Sequence, residues 1–117
     1  MLYIGIDLGT SAAKLLLMRT DGVIEKIVTK EYPISFPKPG WAEQNPSDWW
    51  QACIEGIREL TADADKSQVA GISFGGQMHG LVALDGQDNV IRPAILWNDG
   101  RTMAETEYLN EVIGREK

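Results

Sequence analysis

The first 32 residues constrain the fold more than any other part of the chain. Leu2 to Asp7 is a short apolar run with the composition of a strand buried on both faces. Leu8-Gly9-Thr10-Ser11 interrupts it as a tight turn. Ala12 to Arg19, with Leu15, Leu16 and Leu17 at its centre, reads as a second strand. Thr20-Asp21-Gly22 is a hairpin signal, because Asp-Gly supplies the positive φ angles that such turns need. Val23 to Tyr32 follows as a third strand. Three strands joined by such tight turns make an antiparallel meander.

The chain then changes character. Pro33 to Asn45 carries Pro33, Pro37, Pro39 and Gly40 and reads as a loop, since proline at this density cannot sit inside a ladder. Asn45 is a good N-cap and Pro46 suits the first helical position. Asp48 adds favourable negative charge in the first turn. Trp49, Ala52, Cys53, Gly56, Ile57 and Leu60 then recur at helical spacing as one apolar stripe. Val69 to Phe74 reads as a strand ending in Gly75-Gly76, and Leu81 to Leu84 as another short strand. Asp85-Gly86 and Gln87-Asp88-Asn89 turn the chain. Val90 to Trp97 is extended but interrupted by Pro93. A last helix carries Ala104, Tyr108, Leu109 and Val112 on one side. The Glu111 to Lys117 stretch continues its pattern without a cap or a Gly-Pro terminator, as a cut end would. The order of elements is α/β. It lacks the regular alternation and the Gly-x-Gly-x-x-Gly of a dinucleotide-binding fold.

Composition removes whole classes of function. A net charge of −6 argues against nucleic acid and against a basic membrane-surface segment. Cys53 is the single cysteine, so no internal disulfide forms, and no Cys/His cluster has zinc-ligand spacing. Cys53 lies in the apolar stripe, far in sequence from the single histidine, and reads as a small buried hydrophobe. No basic leader precedes an apolar run and no apolar stretch is long enough to span a bilayer. The expected location is the cytoplasm.

Two regions carry chemistry. In Asp7-Leu8-Gly9-Thr10-Ser11-Ala12-Ala13-Lys14, Gly9 lets the backbone bend and approach a ligand. Successive amides in such a turn form an anion-binding nest, with Thr10 and Ser11 adding hydroxyls and Lys14 a positive charge. Asp7 ends the strand where a carboxylate can hold hydrated Mg²⁺ beside phosphates. The plainer reading is a hairpin turn with an exposed Asp. The motif is not a Walker A loop.

The second region has two parts. Gly75-Gly76 permits close approach to the backbone, and Gln77, Met78 and His79 follow; Gln77 and His79 can both donate to and accept from hydroxyls. Further on, Trp97, Asn98, Asp99 and Arg101 set an aromatic face beside amide, carboxylate and guanidinium groups. Such a set suits a polyol, whose hydroxyls must be paired when desolvated. Singly, each has an ordinary reading: a satisfied structural histidine, a core tryptophan, an Asp99-Gly100 turn.

Ile4-Gly5-Ile6-Asp7-Leu8-Gly9-Thr10-Ser11 resembles the first phosphate motif of the superfamily of sugar kinases, actin and the heat-shock ATPases. Its members share a ribonuclease-H-like fold that opens on a three-stranded meander. With Gly76-Gln77-Met78-His79-Gly80-Leu81 and Arg92-Pro93-Ala94-Ile95-Leu96-Trp97-Asn98-Asp99-Gly100-Arg101-Thr102, the chain is similar to the FGGY family of carbohydrate kinases, most of all its xylulokinase branch. Tyr32-Pro33 and Gly40-Trp41-Ala42-Glu43-Gln44-Asn45-Pro46 fit the family's early region. Glycerol kinases carry Arg-Glu where this chain has Met78-His79, and gluconate-type kinases share the Met-His pair.

The resemblance implies an incomplete N-terminal domain of actin-like and sugar-kinase type. Residues 1–117 would be the sugar-binding side of the first kinase domain, with the rest of it and the nucleotide domain beyond Lys117. A strand edge would then stay uncovered where further chain should pair. The implied reaction is transfer of the γ-phosphoryl group of ATP to D-xylulose, giving D-xylulose 5-phosphate. Asp7 would organise Mg²⁺ through water; Gly9, Thr10, Ser11 and Lys14 would hold phosphate. Met78, His79 and Gln77 would contact sugar, with Trp97, Asn98 and Asp99 as pocket wall. The general base would be an aspartate beyond Lys117, so the chain alone is expected to be inactive. Implied partners are sugar and ATP, with room for a homodimer of the full-length protein and none for nucleic acid or membrane. The rivals are a kinase for another sugar or sugar acid, a non-catalytic sugar-binding module, and an actin-like structural protein; the last leaves the Met-His and Trp-Asn-Asp segments unexplained.

Overall fold

The computed structural model describes residues 1–114. In chain order its elements are β1 (Leu2–Leu8), β2 (Ala12–Arg19), β3 (Ile24–Glu31), β4 (Glu43–Gln44), α1 (Pro46–Leu60), β5 (Val69–Gly76), β6 (Ala94–Ile95) and α2 (Met103–Val112). A single 3₁₀ turn, Lys66–Gln68, precedes β5.

The meander forms as the sequence predicts. β1 pairs antiparallel with β2, Leu2 opposite Arg19 and Leu8 opposite Ala13, and β2 pairs antiparallel with β3. At the hairpin the positive φ falls on Gly22, at 86°. Its amide donates to the Arg19 carbonyl at 2.9 Å. One left-handed glycine therefore closes this turn.

Strand β5 returns parallel to β1, giving the order β3-β2-β1-β5. A parallel return needs a crossover, and α1 lies within it. The helix starts as predicted: the Asn45 side chain accepts from the Ser47 amide at 3.0 Å, Pro46 is the first helical residue and Asp48 lies in the first turn.

Helix α1 lays Ala52, Cys53, Gly56 and Leu60 on β2 and β3. They pack with Ile4, Ile6, Ala13, Leu15, Leu17, Val28 and Tyr32 in one core. Cys53 is buried there, as its place in the stripe predicts. Period-2 alternation sends Ile4 and Ile6 to this side, while Tyr3 and Gly5 stay partly covered and Asp7 is exposed. The expectation that β1 is buried on both faces is corrected: among the described residues α1 covers one face. Strand β5 ends the sheet at its edge, with Ile72 and Phe74 49% and 67% exposed.

Three further expectations change. The proline-rich loop contains a strand, β4, pairing antiparallel with β6. Leu81 to Leu84 forms no strand; it makes isolated bridges, Leu81 to Ile95 and Leu84 to Val90. Val90 to Trp97 contributes only the two residues of β6. All three differences arise because these short pieces pair with each other across the sequence, which local patterns do not report. Helix α2 also ends with a cap. Gly114 takes φ 88°, and the Ile113 and Gly114 amides donate to Leu109 and Asn110 at 2.8 and 3.1 Å. A left-handed glycine just past the last turn is a common helix stop. The remaining part of the expected helical run, residues 115–117, lies outside the described residues. The apolar side of α2 faces no partner among them, and Tyr108, Leu109 and Val112 are exposed.

The closest helix–sheet approach is testable. A Cβ built on Gly56 would lie 2.5 Å from Leu15 Cδ1, and Leu15 is fully buried. Gly56→Ala should destabilise by about 1–3 kcal/mol through overpacking, and Leu15→Ala by about 2–5 kcal/mol through the cavity it leaves. The double variant should cost clearly less than the sum, because each change relieves the other; denaturant unfolding of all four proteins measures this coupling.

Candidate functional site

The site begins at the β1–β2 turn. The Gly9 amide donates to the Ala12 carbonyl at 3.0 Å, which folds Gly9-Thr10-Ser11 over on itself. The Tyr32 hydroxyl donates to the Gly9 carbonyl. Burial pushes the Tyr32 phenol up to about 12, so this donor stays protonated at neutral pH. The Tyr32 amide also donates to the Ser11 carbonyl at 3.2 Å. Gln44 donates to the Thr10 carbonyl at 2.6 Å, and the Trp97 indole donates to the Thr10 hydroxyl at 3.1 Å.

All three turn carbonyls are thus held from within the protein. The amides of Thr10 and Ser11 donate to no protein group among the described hydrogen bonds. Carbonyls tied back with amides left over is the arrangement of an anion nest. Asp7 is exposed at the end of β1. It pairs across the ladders with Lys14 on β2 and Gly75 on β5. Its carboxylate has no protein hydrogen-bond partner among the described residues.

The end of β5 meets this turn. Gly76 stands opposite Leu8, and the Gln77 amide donates to the Leu8 carbonyl at 2.8 Å. A Cβ on Gly76 would come within 2.7 Å of the Leu8 carbonyl oxygen, so only glycine fits. His79 follows in the left-handed region at φ 64°, a costly conformation for a residue with a side chain. Its neighbour Gly80 lies close to the Ile95 carbonyl, and Leu81 bridges Ile95. The segment therefore turns sharply and is pinned on the far side.

A cleft of about 360 Å³ opens between the two ends, lined by Gly9, Thr10, Gly76, Gln77, Met78, His79 and Trp97. The phosphate-type turn and the Gln-Met-His segment, some 70 residues apart in sequence, form one concavity. Asp7 stands one ladder position behind its rim. Ser11 and Lys14 are exposed beside the turn but outside the lining, and Asn98 is exposed next to Trp97.

Asp99 lies elsewhere. Its side chain is 2% exposed and fully engaged. It accepts from the Ala42 and Arg101 amides at 2.7 and 2.9 Å, and from Arg101 Nε and Nη2 at 2.8 and 2.7 Å. Arg101 also donates to Glu43 at 2.8 Å and stacks 3.7 Å from the centre of the Trp41 ring. Arg92 reaches the same Glu43 oxygen at 2.8 Å. The hydrogen bonds from Arg101 hold the Asp99 carboxyl well below the usual carboxylate range and raise the Arg101 guanidinium. This cluster ties β4 to the segments on either side of β6.

The sequence patterns that contain Tyr32, Gln44 and Trp49 do not reveal the part these residues play at the site. Gln44 is 2% exposed. A glutamine between prolines and a helix cap looks like loop, and Ala42, Glu43 and Gln44 are all buried, with no period-2 alternation to mark a strand.

The meander, the parallel fourth strand and the cleft at their carboxyl ends define the N-terminal domain fold of the actin-like ATPases and sugar kinases. The chain belongs to the FGGY family of carbohydrate kinases: residues 2–117 match the model described as "FGGY family of carbohydrate kinases, N-terminal domain". It is 46% identical over 113 residues to the xylulose kinase of Bacillus subtilis, covering 95% of this chain and 23% of that protein. To the xylulose kinase of Escherichia coli it is 44% identical over 108 residues, 92% of this chain and 22% of that one. Among solved structures, the Brucella ovis protein titled a "xyloylose kinase" is 42% identical with a TM-score of 0.89, over 95% of this chain and 24% of that chain. A gluconate kinase from Lactobacillus acidophilus is 31% identical with a TM-score of 0.89, over 97% and 23%. The chain thus spans about a quarter of the length of the relatives it matches.

The buried Asp99 cluster predicts an acid limb in stability. A carboxylate with a depressed folded-state value stabilises above its unfolded value of 3.8, and that contribution is lost as pH falls through the lower folded value. Asp99→Asn should therefore lower stability at neutral pH and flatten the acid limb below pH 3.8; denaturant titrations across that range read both.

Proposed function

We propose that the full-length protein of which this chain forms the N-terminal part transfers the γ-phosphoryl group of ATP to D-xylulose. The observation that carries this reading is the shared cleft, with the nest-forming turn on one side and Gln77, Met78 and His79 on the other. Phosphoryl transfer needs little from the protein beyond positioning and charge neutralisation, and both require donor and acceptor in one concavity. The names of the relatives support the sugar.

The residues present fit a hydrated divalent cation beside phosphate. Asp7 offers a free carboxylate one ladder position behind the rim, and the turn offers two free amides. No group of three His, Cys, Asp or Glu gathers to hold a bare metal among the described residues. One carboxylate with retained waters is the usual magnesium arrangement. Mg²⁺ would neutralise developing charge on the phosphates. Thr10 and Ser11 orient phosphate oxygens through amides and hydroxyls, with Lys14 beside them. Met78 and Trp97 cover the apolar face of the sugar, and Gln77 and His79 pair with its hydroxyls. Asn98 adds an amide beside Trp97. Asp99, engaged by Arg101, holds the wall. The base that takes the hydroxyl proton, the adenine site and any homodimer contact belong to the longer protein, so residues 1–117 by themselves should not turn over sugar.

A gluconate-type substrate is the second reading, favoured by the Met78-His79 pair. A sugar acid needs a cation to meet its carboxylate, and neither Lys nor Arg lines the cleft among the described residues. That favours a neutral ketopentose. Placement in the cytoplasm, where ATP is available, completes the proposal; no helix among the described residues is long and apolar enough to cross a membrane.

Asp7→Asn in the full-length protein should lower kcat by about 100-fold or more with the fold intact, as expected for removing a charge that acts on the transition state. An ATP-coupled assay with D-xylulose and D-gluconate reads both substrate and effect. Unchanged turnover in the variant would reject the role of Asp7, and preference for gluconate would reject the pentose.

A further inference from the structure

Behind the cleft, one buried side chain touches both of its ends. Gln44 Nε2 donates to the Thr10 carbonyl at 2.6 Å. Gln44 Oε1 accepts from the Trp49 indole at 3.0 Å and from Gln77 Nε2 at 3.2 Å. The chemistry of the partners fixes which way each amide points. An indole N–H can only donate and a backbone carbonyl can only accept. The atom of Gln44 facing Trp49 must therefore be oxygen, and the atom facing Thr10 must be nitrogen. Gln77 meets that oxygen, so it must turn its nitrogen inward. Its own carbonyl is left pointing away from Gln44.

That carbonyl has no partner. Gln77 Oε1 is buried from solvent and receives no hydrogen bond from the described residues, the single such side-chain atom among them. Gln77 is also a lining residue of the cleft. A buried acceptor without a donor is costly and selects for a ligand that brings one.

We infer that Gln44, held by Trp49, is a positioning residue that fixes the polarity of Gln77, so that Gln77 offers the cleft an acceptor for one hydroxyl of the polyol. The inference deepens the kinase reading and rests on it. It assigns Trp49, which does not line the cleft, a part in recognising the sugar. It also ties the two ends of the site, because the amide that orients Gln77 is the one that holds the Thr10 carbonyl.

The test uses the full-length protein, with D-xylulose and its 1-, 3- and 4-deoxy analogues as probes, the C5 hydroxyl being kept because it is the phosphoryl acceptor. The wild type should lose about 10-fold or more in kcat/KM with one analogue, the size expected for one hydrogen bond to a buried group. Gln77→Leu should erase that difference. Trp49→Phe leaves the Gln44 amide free to turn over, and should shrink the difference mainly through the KM of the parent sugar. A general loss of stability lowers sugar and analogue alike and leaves their ratio in place, so the ratio separates positioning from packing. Should Trp49→Phe fail to fold, a crystal structure of the wild type with bound D-xylulose decides: a sugar hydroxyl within hydrogen-bond distance of Gln77 Oε1 supports the inference, and a protein donor or water there overturns it. Turnover of xylulose with no analogue penalised would sink this inference alone. Absence of both turnover and binding with every sugar would sink the kinase reading as well.

Discussion

The site depends on how the turn after β1 is restrained. A Gly-Thr-Ser bend offers amides to an anion only if its carbonyls are occupied elsewhere, since both point from the same short stretch of backbone. Tyr32 takes the Gly9 and Ser11 carbonyls, and Gln44 takes that of Thr10. Each tether comes from a different part of the chain. Tyr32 follows β3, next to the meander that makes the bend; Gln44 comes from β4, and Trp97 from beyond β6. The bend is therefore shaped only once the sheet, the proline-rich loop and the β4–β6 pair are all in place, which couples the phosphate side to the rest of the fold.

Local patterning made much of the scaffold legible. The meander could be read from alternation and turns, the start of α1 from Asn45-Pro46-Asp48, and the end of β5 from Gly75-Gly76. In each case the signal and its cause lie within a few residues of one another. Misread elements had distant partners. Glu43 and Gln44 become a strand only because Ala94 and Ile95 lie opposite them. Leu81 through Leu84 reads as a strand by composition, yet finds only single bridges. At the end of α2, Gly114 stops the helix without a following Pro, a signal that a Gly-Pro rule does not report.

For the site the division runs the same way. Asp7, Gly9, Thr10, Gln77, Met78 and His79 carry signals in motifs, and the cleft brings most of them together. Gln44 sits in a family segment and Trp49 in an apolar stripe, but neither pattern reports the role, because a glutamine is recognised as a hub only when its three partners are in place. Asp99 shows the converse. Its position beside Trp97 suggests a pocket wall, while its hydrogen bonds to Ala42 and Arg101 reveal that the carboxylate is already taken.

The fate of Asp99 bears on how charge is managed near the cleft. The protein carries a net charge of −6, yet on the proposed reading its site receives phosphates. Arg101 and Arg92 do not serve as phosphate ligands here; they are consumed by Glu43 and Asp99 behind the wall. Largely buried ion pairs, as Arg101 makes with Glu43 and Asp99, are weak contributors to stability but strongly resist being broken one partner at a time. They therefore hold β4, β6 and the Trp97 segment in fixed relation without placing charge in the cleft itself. Among the described residues, no Lys, Arg, Asp or Glu lines the cleft; it presents backbone amides, a hydroxyl, an amide side chain, a thioether, an indole and an imidazole. Neutral oriented dipoles suit a ligand pair in which one member is a polyol, because a nearby guanidinium would favour anionic sugars. On the proposed reading, a wall without Lys, Arg, Asp or Glu on the sugar side, with Asp7 and Lys14 paired across the strands next to the turn, would let one small concavity treat its two ligands by different rules.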